Sequence, residues 1–173
     1  MPQFSYAASG AYFVTICVSQ RRNEFWSGDE AADFREDDLL ENVRADIIRP
    51  FVPPPLTEAG RIVDQAIRAI PDHYADVDVE CFCIMPDHVH MLLVYSADEN
   101  GRIISAPTLS VVVGSMKRYV SRKLGRPIWQ KSYYDRIIRT EKGFLAACRY
   151  IDENLARWRE DHESTGLPFD DQE

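Results

Sequence analysis

The stretch that decides the fold is CFCIMPDHVHMLLVY, residues 81–95, which reads as a strand, a Pro-Asp turn and a second strand. Alternate residues of a strand point to opposite faces, so His88 and His90 share one face while Val89 turns into the core. Two adjacent imidazoles held in a rigid sheet can supply half of a metal site. A His-x-His pair also arises by chance, and strand histidines are often partly buried residues with satisfied hydrogen bonds. The pair therefore indicates a metal site only if other residues complete it.

The composition is that of a soluble globular protein, and we expect a single domain over residues 1–173. The chain is 45% hydrophobic and 28% charged, and it is long enough to bury a core without disulfides. No segment approaches the roughly 20 apolar residues of a membrane span, and no signal pattern is present, so we expect a cytoplasmic protein with no membrane partner. The cysteines lie in apolar segments, which favours reduced thiols over disulfides or a zinc finger.

Charge is unevenly distributed along the chain. The net charge of −8 by itself argues against nucleic-acid binding. Residues 102–149, however, contain eleven Lys or Arg and two acidic residues, a net charge of +9. We predict a local polyanion-binding surface there, although a solvated helix face would explain the same charges. The predicted DNA-binding residues are Lys117, Arg118, Arg122, Lys123, Trp129, Lys131, Arg136 and Arg139.

The remaining patterns predict one more strand and three helices around the histidine pair. Residues 11–18, AYFVTICV, are apolar on both faces and predict a central strand. Each predicted helix begins at a hydroxyl residue that can cap it. The helices are Thr57 to Ile70, ended by Pro71; Thr108 or Ser110 to Leu124; and Thr140 to about Glu160.

Two segments carry no catalytic signal. Residues 23–55 are acidic and then proline-rich, which predicts a linker with a short helix at residues 38–48. Residues after 161 are acidic and predict a frayed tail.

Residues 125–139, GRPIWQKSYYDRIIR, interleave aromatic and basic side chains. Bases stack on aromatic rings and phosphates pair with cations, so the segment favours single-stranded nucleic acid as a partner. Packing of Trp129, Tyr133 and Tyr134 inside a hairpin is the alternative.

The last helix carries an apolar stripe with two polar residues on its flank. Tyr150 and Asn154 are four residues apart, so they lie one helical turn from each other at the margin where the helix would meet a cleft. The stripe consists of Phe144, Cys148, Ile151, Leu155 and Trp158.

Four stretches, in this order, resemble the HUH transposases of small bacterial insertion sequences and, more closely, the REP-associated tyrosine transposases. They are AYFVTICVSQRRNEFW, MPDHVHMLL, IWQKSYYDRIIRTEKGF and RYIDENLARW. They resemble that group's first-strand element, its Met-Pro-Asn-His-Val-His element, its Trp-Gln and Asp-x-x-Ile-Arg element, and its Tyr-Ile-x-x-Asn-Pro helix. The chain departs from the pattern at Asp87, often asparagine in the family, and at Leu155, usually proline.

The resemblance implies an α+β fold, a ferredoxin-like sandwich of the HUH endonuclease type with helices on an antiparallel sheet. It also implies that His88, His90 and Asn154 bind Mg²⁺ or Mn²⁺ and that Tyr150 is the catalytic nucleophile. The implied activity is that of a metal-dependent single-stranded DNA endonuclease and strand-transferase, acting on hairpin-forming DNA through a 5′-phosphotyrosine. The resemblance suggests a homodimer as well.

Two other functions remain open from the sequence. One is a domesticated DNA-binding protein of the same fold with weak or no cleavage, which the change to Leu155 and the acidic pI would allow. The other is a metal hydrolase of small phosphoesters, which would explain the histidines but neither the Tyr150 and Asn154 pair nor the basic aromatic segment.

Overall fold

The computed structural model describes residues 10–27, 55–96 and 107–165, with side chains through Asn154. A four-stranded antiparallel sheet in the order β2-β3-β1-β4 forms its centre. The strands are β1 (Gly10–Cys17), β2 (Val77–Ile84), β3 (His88–Tyr95) and β4 (Tyr134–Ile138). Because β1 pairs with β3 on one side and β4 on the other, the prediction of a central first strand is confirmed.

The helices in the described ranges are α1 (Glu58–Arg68), α2 (Ile70–His73), α3 (Leu109–Leu124) and α4 (Glu141–Thr165). The predicted caps are confirmed, since the hydroxyls of Thr57, Thr108 and Thr140 each accept a hydrogen bond from a first-turn amide. None of these helices is long and apolar enough to cross a membrane.

Two predicted helix ends were wrong. The first helix stops at Arg68, and Pro71 lies in the first turn of α2 instead of ending α1. Proline is tolerated there because first-turn amides have no partner inside a helix. The last helix continues to Thr165, past its predicted end at about Glu160 and into the first residues of the predicted tail. Residues 166–173 of the predicted tail lie outside the described ranges.

Helices pack on both faces of the sheet, which confirms the predicted α+β sandwich. Val89, Met91 and Leu93 face away from the histidines and have no exposed surface. On that side α1 packs against α3. On the histidine side, α4 packs on β2 and β3. The histidine pair therefore lies between the sheet and the helix that carries Tyr150.

Two residues at the start of the predicted acidic linker belong to the core instead. Phe25 and Trp26 are buried, and the indole Nε1 of Trp26 donates to the Ile84 carbonyl at 2.8 Å. At Gly60 a Cβ would lie 2.4 Å from the Phe25 carbonyl oxygen, so α1 approaches this segment as closely as glycine allows. The helix predicted at residues 38–48 lies outside the described ranges.

Candidate functional site: a histidine pair beside a helical tyrosine

The two histidines of β3 converge as the strand alternation predicts. The Nε2 atoms of His88 and His90 lie 3.1 Å apart, so both rings aim the same nitrogen at one point. His90 is 7% exposed, whereas the side chain of His88 is 24% exposed. Buried His90 therefore fixes the point of convergence from the protein interior, and solvent reaches that point from the side of His88.

A protein oxygen holds the other nitrogen of each ring. The Asp87 Oδ1 lies 2.6 Å from the His88 Nδ1, and the Thr15 Oγ1 lies 2.8 Å from the His90 Nδ1. An ionised carboxylate only accepts, so His88 carries its proton on Nδ1 and can keep a lone pair on Nε2. A hydroxyl both donates and accepts, so Thr15 fits either tautomer of His90. Metal-binding imidazoles are commonly oriented in this way.

The electrostatics of the site keep His90 neutral and Asp87 charged. Burial, with a smaller effect from the charge of His88, lowers the pKa of His90 to about 4 although Asp87 opposes it. Burial alone would raise the pKa of Asp87, but the hydrogen bond and charge of His88, together with Arg21, outweigh it and lower that pKa. A neutral imidazole beside a carboxylate-bound one is the form that can ligate a cation at neutral pH.

Backbone hydrogen bonds fix the turn that carries Asp87. The Val18 amide donates to the Asp87 carbonyl at 2.8 Å, and the Glu24 amide donates to the Pro86 carbonyl at 2.8 Å. Across the turn, the Met85 amide donates to the His88 carbonyl at 2.8 Å. The chain that follows β1 therefore sets the position of the Asp87 carboxylate.

Tyr150 of α4 lies against the histidine pair. Its ring centroid is 5.4 Å from that of His90 and 5.7 Å from that of Phe13, both in edge-on geometry. Buried Phe144 and Ile151 fix α4 on the sheet, while Tyr150 itself is 41% exposed. The structure thus brings together three residues that the sequence analysis placed in one site, His88, His90 and Tyr150.

Asn154 is less closely tied to the pair. It is half-buried one turn beyond Tyr150, and within the described ranges no hydrogen bond joins it to either histidine. In the same ranges, no group of three His, Cys, Asp or Glu residues could hold a metal ion. The protein donors for a cation are therefore two convergent imidazole nitrogens, with the Asn154 amide oxygen as the predicted third ligand.

Two predicted DNA-binding residues are engaged in structural contacts. Trp129 is 9% exposed and packs at 5.5 Å from the Phe25 ring, so it cannot offer a face to a base. The Lys117 ammonium donates to the carbonyls of Gln130 and Lys131 at 2.6 and 3.2 Å, and burial lowers its pKa. Both residues fold the chain that leads into β4, and their tertiary partners could not be read from local composition.

Three other predicted residues lie on α3, on the side of the sheet opposite the histidines. Arg118 and Arg122 line a cavity of about 820 Å³ between α3 and the α1–α2 pair. The Lys123 ammonium lies 5.7 Å over the ring of Tyr119, which borders the same cavity. The basic surface predicted from the sequence is therefore divided between the two sides of the sheet.

The remaining three predicted residues are exposed in or beside β4. Arg136 is paired with Phe13 of β1, and paired residues of an antiparallel sheet share a face, so Arg136 lies on the histidine face. Lys131 precedes β4, and Arg139 follows it.

Sequence reasoning missed Thr15 and Phe13, and it treated Asp87 only as a departure from a family pattern. Thr15 is the one residue of β1 with an aliphatic hydroxyl, and a polar side chain in an otherwise apolar strand was the available signal. Its contact with His90 depends on the β1–β3 register, in which Thr15 pairs with His90.

Comparison with known proteins supports the fold. No protein-family model matches the sequence. An uncharacterised protein of Haemophilus influenzae is 25% identical over 180 residues, which cover 93% of this chain and 88% of that protein. The solved structure of a REP-associated tyrosine transposase bound to a REP hairpin matches with a TM-score of 0.55 at 15% identity, covering 95% of this chain and 85% of the other. The chain therefore shares the α+β fold of that transposase.

Proposed function

We propose that this protein is a metal-dependent single-stranded DNA endonuclease and strand-transferase. The observation that carries the proposal is the convergence of the His88 and His90 Nε2 atoms at 3.1 Å beside a tyrosine ring 5.4 Å from His90. The shared fold adds support, because the matched transposase was solved with a REP hairpin.

His88 and His90 would hold the cation through Nε2, with Asn154 as the third ligand. This donor set leaves coordination positions for water and a phosphate oxygen, as Mg²⁺ or Mn²⁺ would need, and its two imidazoles are ligands that softer divalent metals such as Zn²⁺ prefer. When bound, the cation would supply Lewis-acid stabilisation to a non-bridging oxygen of the phosphodiester. Asp87 and Thr15 would keep the two rings aimed at it.

Tyr150 would attack the scissile phosphorus through its hydroxyl oxygen. The oxygen–phosphorus bond forms as the bond to the departing 3′ oxygen breaks, which leaves a 5′-phosphotyrosine and a free 3′ hydroxyl. The proton that the phenol loses is matched by one that the departing 3′ oxygen gains, with solvent water carrying the transfer, so no net proton is released. Attack by the 3′ hydroxyl of a second strand on the phosphotyrosine reverses the exchange, joins the two strands and restores Tyr150.

A labelled single-stranded hairpin oligonucleotide incubated with Mn²⁺ and analysed on a denaturing gel tests the proposal. We expect a covalent adduct with the unmodified chain and none with Tyr150→Phe, which removes one oxygen and keeps the ring. Tyr119→Phe, on the opposite side of the sheet, is the matched control and should form the adduct normally.

Peptide mass spectrometry of the trapped adduct assigns the nucleophile. A nucleotide on any peptide without Tyr150 would refute its role. A shifted but uncut band with every variant would instead indicate a DNA-binding protein without cleavage. Adduct formation by a His88→Ala, His90→Ala double variant would place the metal site elsewhere.

A further inference from the structure

One half of the sheet face that carries the histidines is open to solvent. Helix α4 packs chiefly on β2 and β3. On the same face, Phe13 and Thr15 of β1 are partly exposed, and Tyr134 and Arg136 of β4 are exposed. A solvent-facing strip of side chains therefore begins directly beside the candidate active site.

The strand register places Tyr134 in the same row as His90. Tyr134 pairs with Thr15, and Thr15 pairs with His90 in the next strand. Directly opposite residues point to one face, and neighbouring strands lie about 5 Å apart, so two strand spacings, or about 10 Å, separate the Tyr134 and His90 backbones. A nucleotide is large enough to reach from one to the other.

Tyr134 is exposed to solvent, whereas the neighbouring Tyr133 is partly buried. At 63%, Tyr134 is the most exposed large hydrophobic side chain in the described part of the chain. Tyr133 points to the other face, where its hydroxyl lies 2.9 Å from the Ser110 hydroxyl. The aromatic pair predicted from sequence thus separates into one structural ring and one ring presented to solvent beside the candidate active site.

Arginine continues the strip beyond Tyr134. Arg136 follows on the same face, and a groove of about 410 Å³ beyond it is lined by Arg136, Arg139 and Thr140. A ring followed by guanidinium groups matches the alternation of base and phosphate along a single strand.

We propose that Tyr134 and Arg136 form a nucleotide subsite next to the scissile phosphodiester. This inference rests on the proposed function and assigns its DNA contacts to particular residues. Tyr134 stacks on the unpaired base beside the cleaved bond, and Arg136 pairs with the adjoining phosphate. Stacking uses the face of the ring, so the subsite needs the aromatic ring of Tyr134 and not its hydroxyl.

The test uses a hairpin oligonucleotide with single-stranded flanks that carries 2-aminopurine at each flank position in turn. Binding is measured with EDTA present, so cleavage does not intervene. With the unmodified chain, we expect strong fluorescence quenching at one flank position. An abasic residue at that position should weaken binding about tenfold, within the usual range for one stacked base.

Four variants separate stacking from general damage. Tyr134→Ala should abolish the local quenching and should bind the abasic and the intact hairpin equally well. Tyr134→Phe should retain both the quenching and the preference for the intact hairpin. Val111→Ala is the matched control, because Val111 is 47% exposed on α3, which covers the opposite side of the sheet, and it does not line the groove. Arg136→Ala should weaken binding and flatten its salt dependence by about one phosphate contact.

The outcomes distinguish the subsite from the proposed function. Equal quenching in the unmodified chain and Tyr134→Ala, or quenching at no position in a chain that binds the hairpin, overturns the subsite and leaves the endonuclease standing. Loss of quenching in both Tyr134→Ala and Tyr134→Phe also overturns the stacking role. Absence of hairpin binding by the unmodified chain refutes the subsite and the proposed function together.

Discussion

Replacing Asp87 should weaken metal binding while leaving the fold in place. Its carboxylate touches the His88 Nδ1 at 2.6 Å, and the two side chains are 17% and 24% exposed. Removing it in Asp87→Ala leaves the His88 ring free to rotate and to place its proton on either nitrogen. Either change reduces the population of rings that present the Nε2 lone pair.

The expected magnitude follows from the strength of this contact. A hydrogen bond to a charged group contributes about 1.5–3 kcal/mol. Loss of a partner behind a metal ligand typically costs about 10–100-fold in affinity, or about 1.4–2.7 kcal/mol. The two ranges overlap, and we expect Asp87→Ala to bind Mn²⁺ about 30-fold more weakly. Asp87→Asn keeps an acceptor oxygen without the charge and should lose about half of that free energy, or about fivefold in affinity.

Mn²⁺ titration followed by electron paramagnetic resonance, on protein without DNA, measures these affinities directly. Asp64→Ala is the matched control, because this acidic residue pairs with Arg68 on the surface of α1 and should not change the affinity. Two variants of Thr15 test the hydrogen bond to His90 in the same way. Thr15→Ser keeps the hydroxyl and should bind Mn²⁺ normally, whereas Thr15→Val removes it and should bind Mn²⁺ more weakly. Mn²⁺ affinity that is unchanged in Asp87→Ala, with melting temperature also unchanged, would refute the view that Asp87 positions a metal ligand.

Two further predictions concern stability. The pKa of His90 is lowered from 6.5 to about 4, so between these pH values the unfolded chain takes up a proton that the folded chain excludes. The free energy of unfolding should therefore fall by about 3 kcal/mol as the pH drops through that interval. Urea titrations should show that His90→Gln removes most of this loss. Gly60→Ala should destabilise the fold by about 1–3 kcal/mol, because its Cβ would meet the Phe25 carbonyl at 2.4 Å. Gly114→Ala, whose nearest neighbour is the flexible end of Arg118, is the control and should not lower the urea midpoint.

Much of the fold followed from local patterns in the sequence. Two-residue alternation placed His88 and His90 on one face, and threonine caps located the starts of the helices. The apolar stripe through Phe144 and Ile151 set which side of the last helix faces the sheet, and so put Tyr150 at its margin. These features could be predicted because they depend on residues within one or two turns of each other, where backbone geometry fixes the spacing of the side chains.

The tertiary structure decided which distant residues meet. The β1–β3 register brought Thr15 to His90, and the chain after β1 fixed the turn at Asp87. Tertiary packing also buried Trp129, tied Lys117 to backbone carbonyls and left Tyr134 exposed beside the histidines. Composition alone did not distinguish these last three residues, which all lie in the basic stretch of residues 102–149. Burial and strand register distinguish them, and both are properties of contacts between segments far apart in the chain.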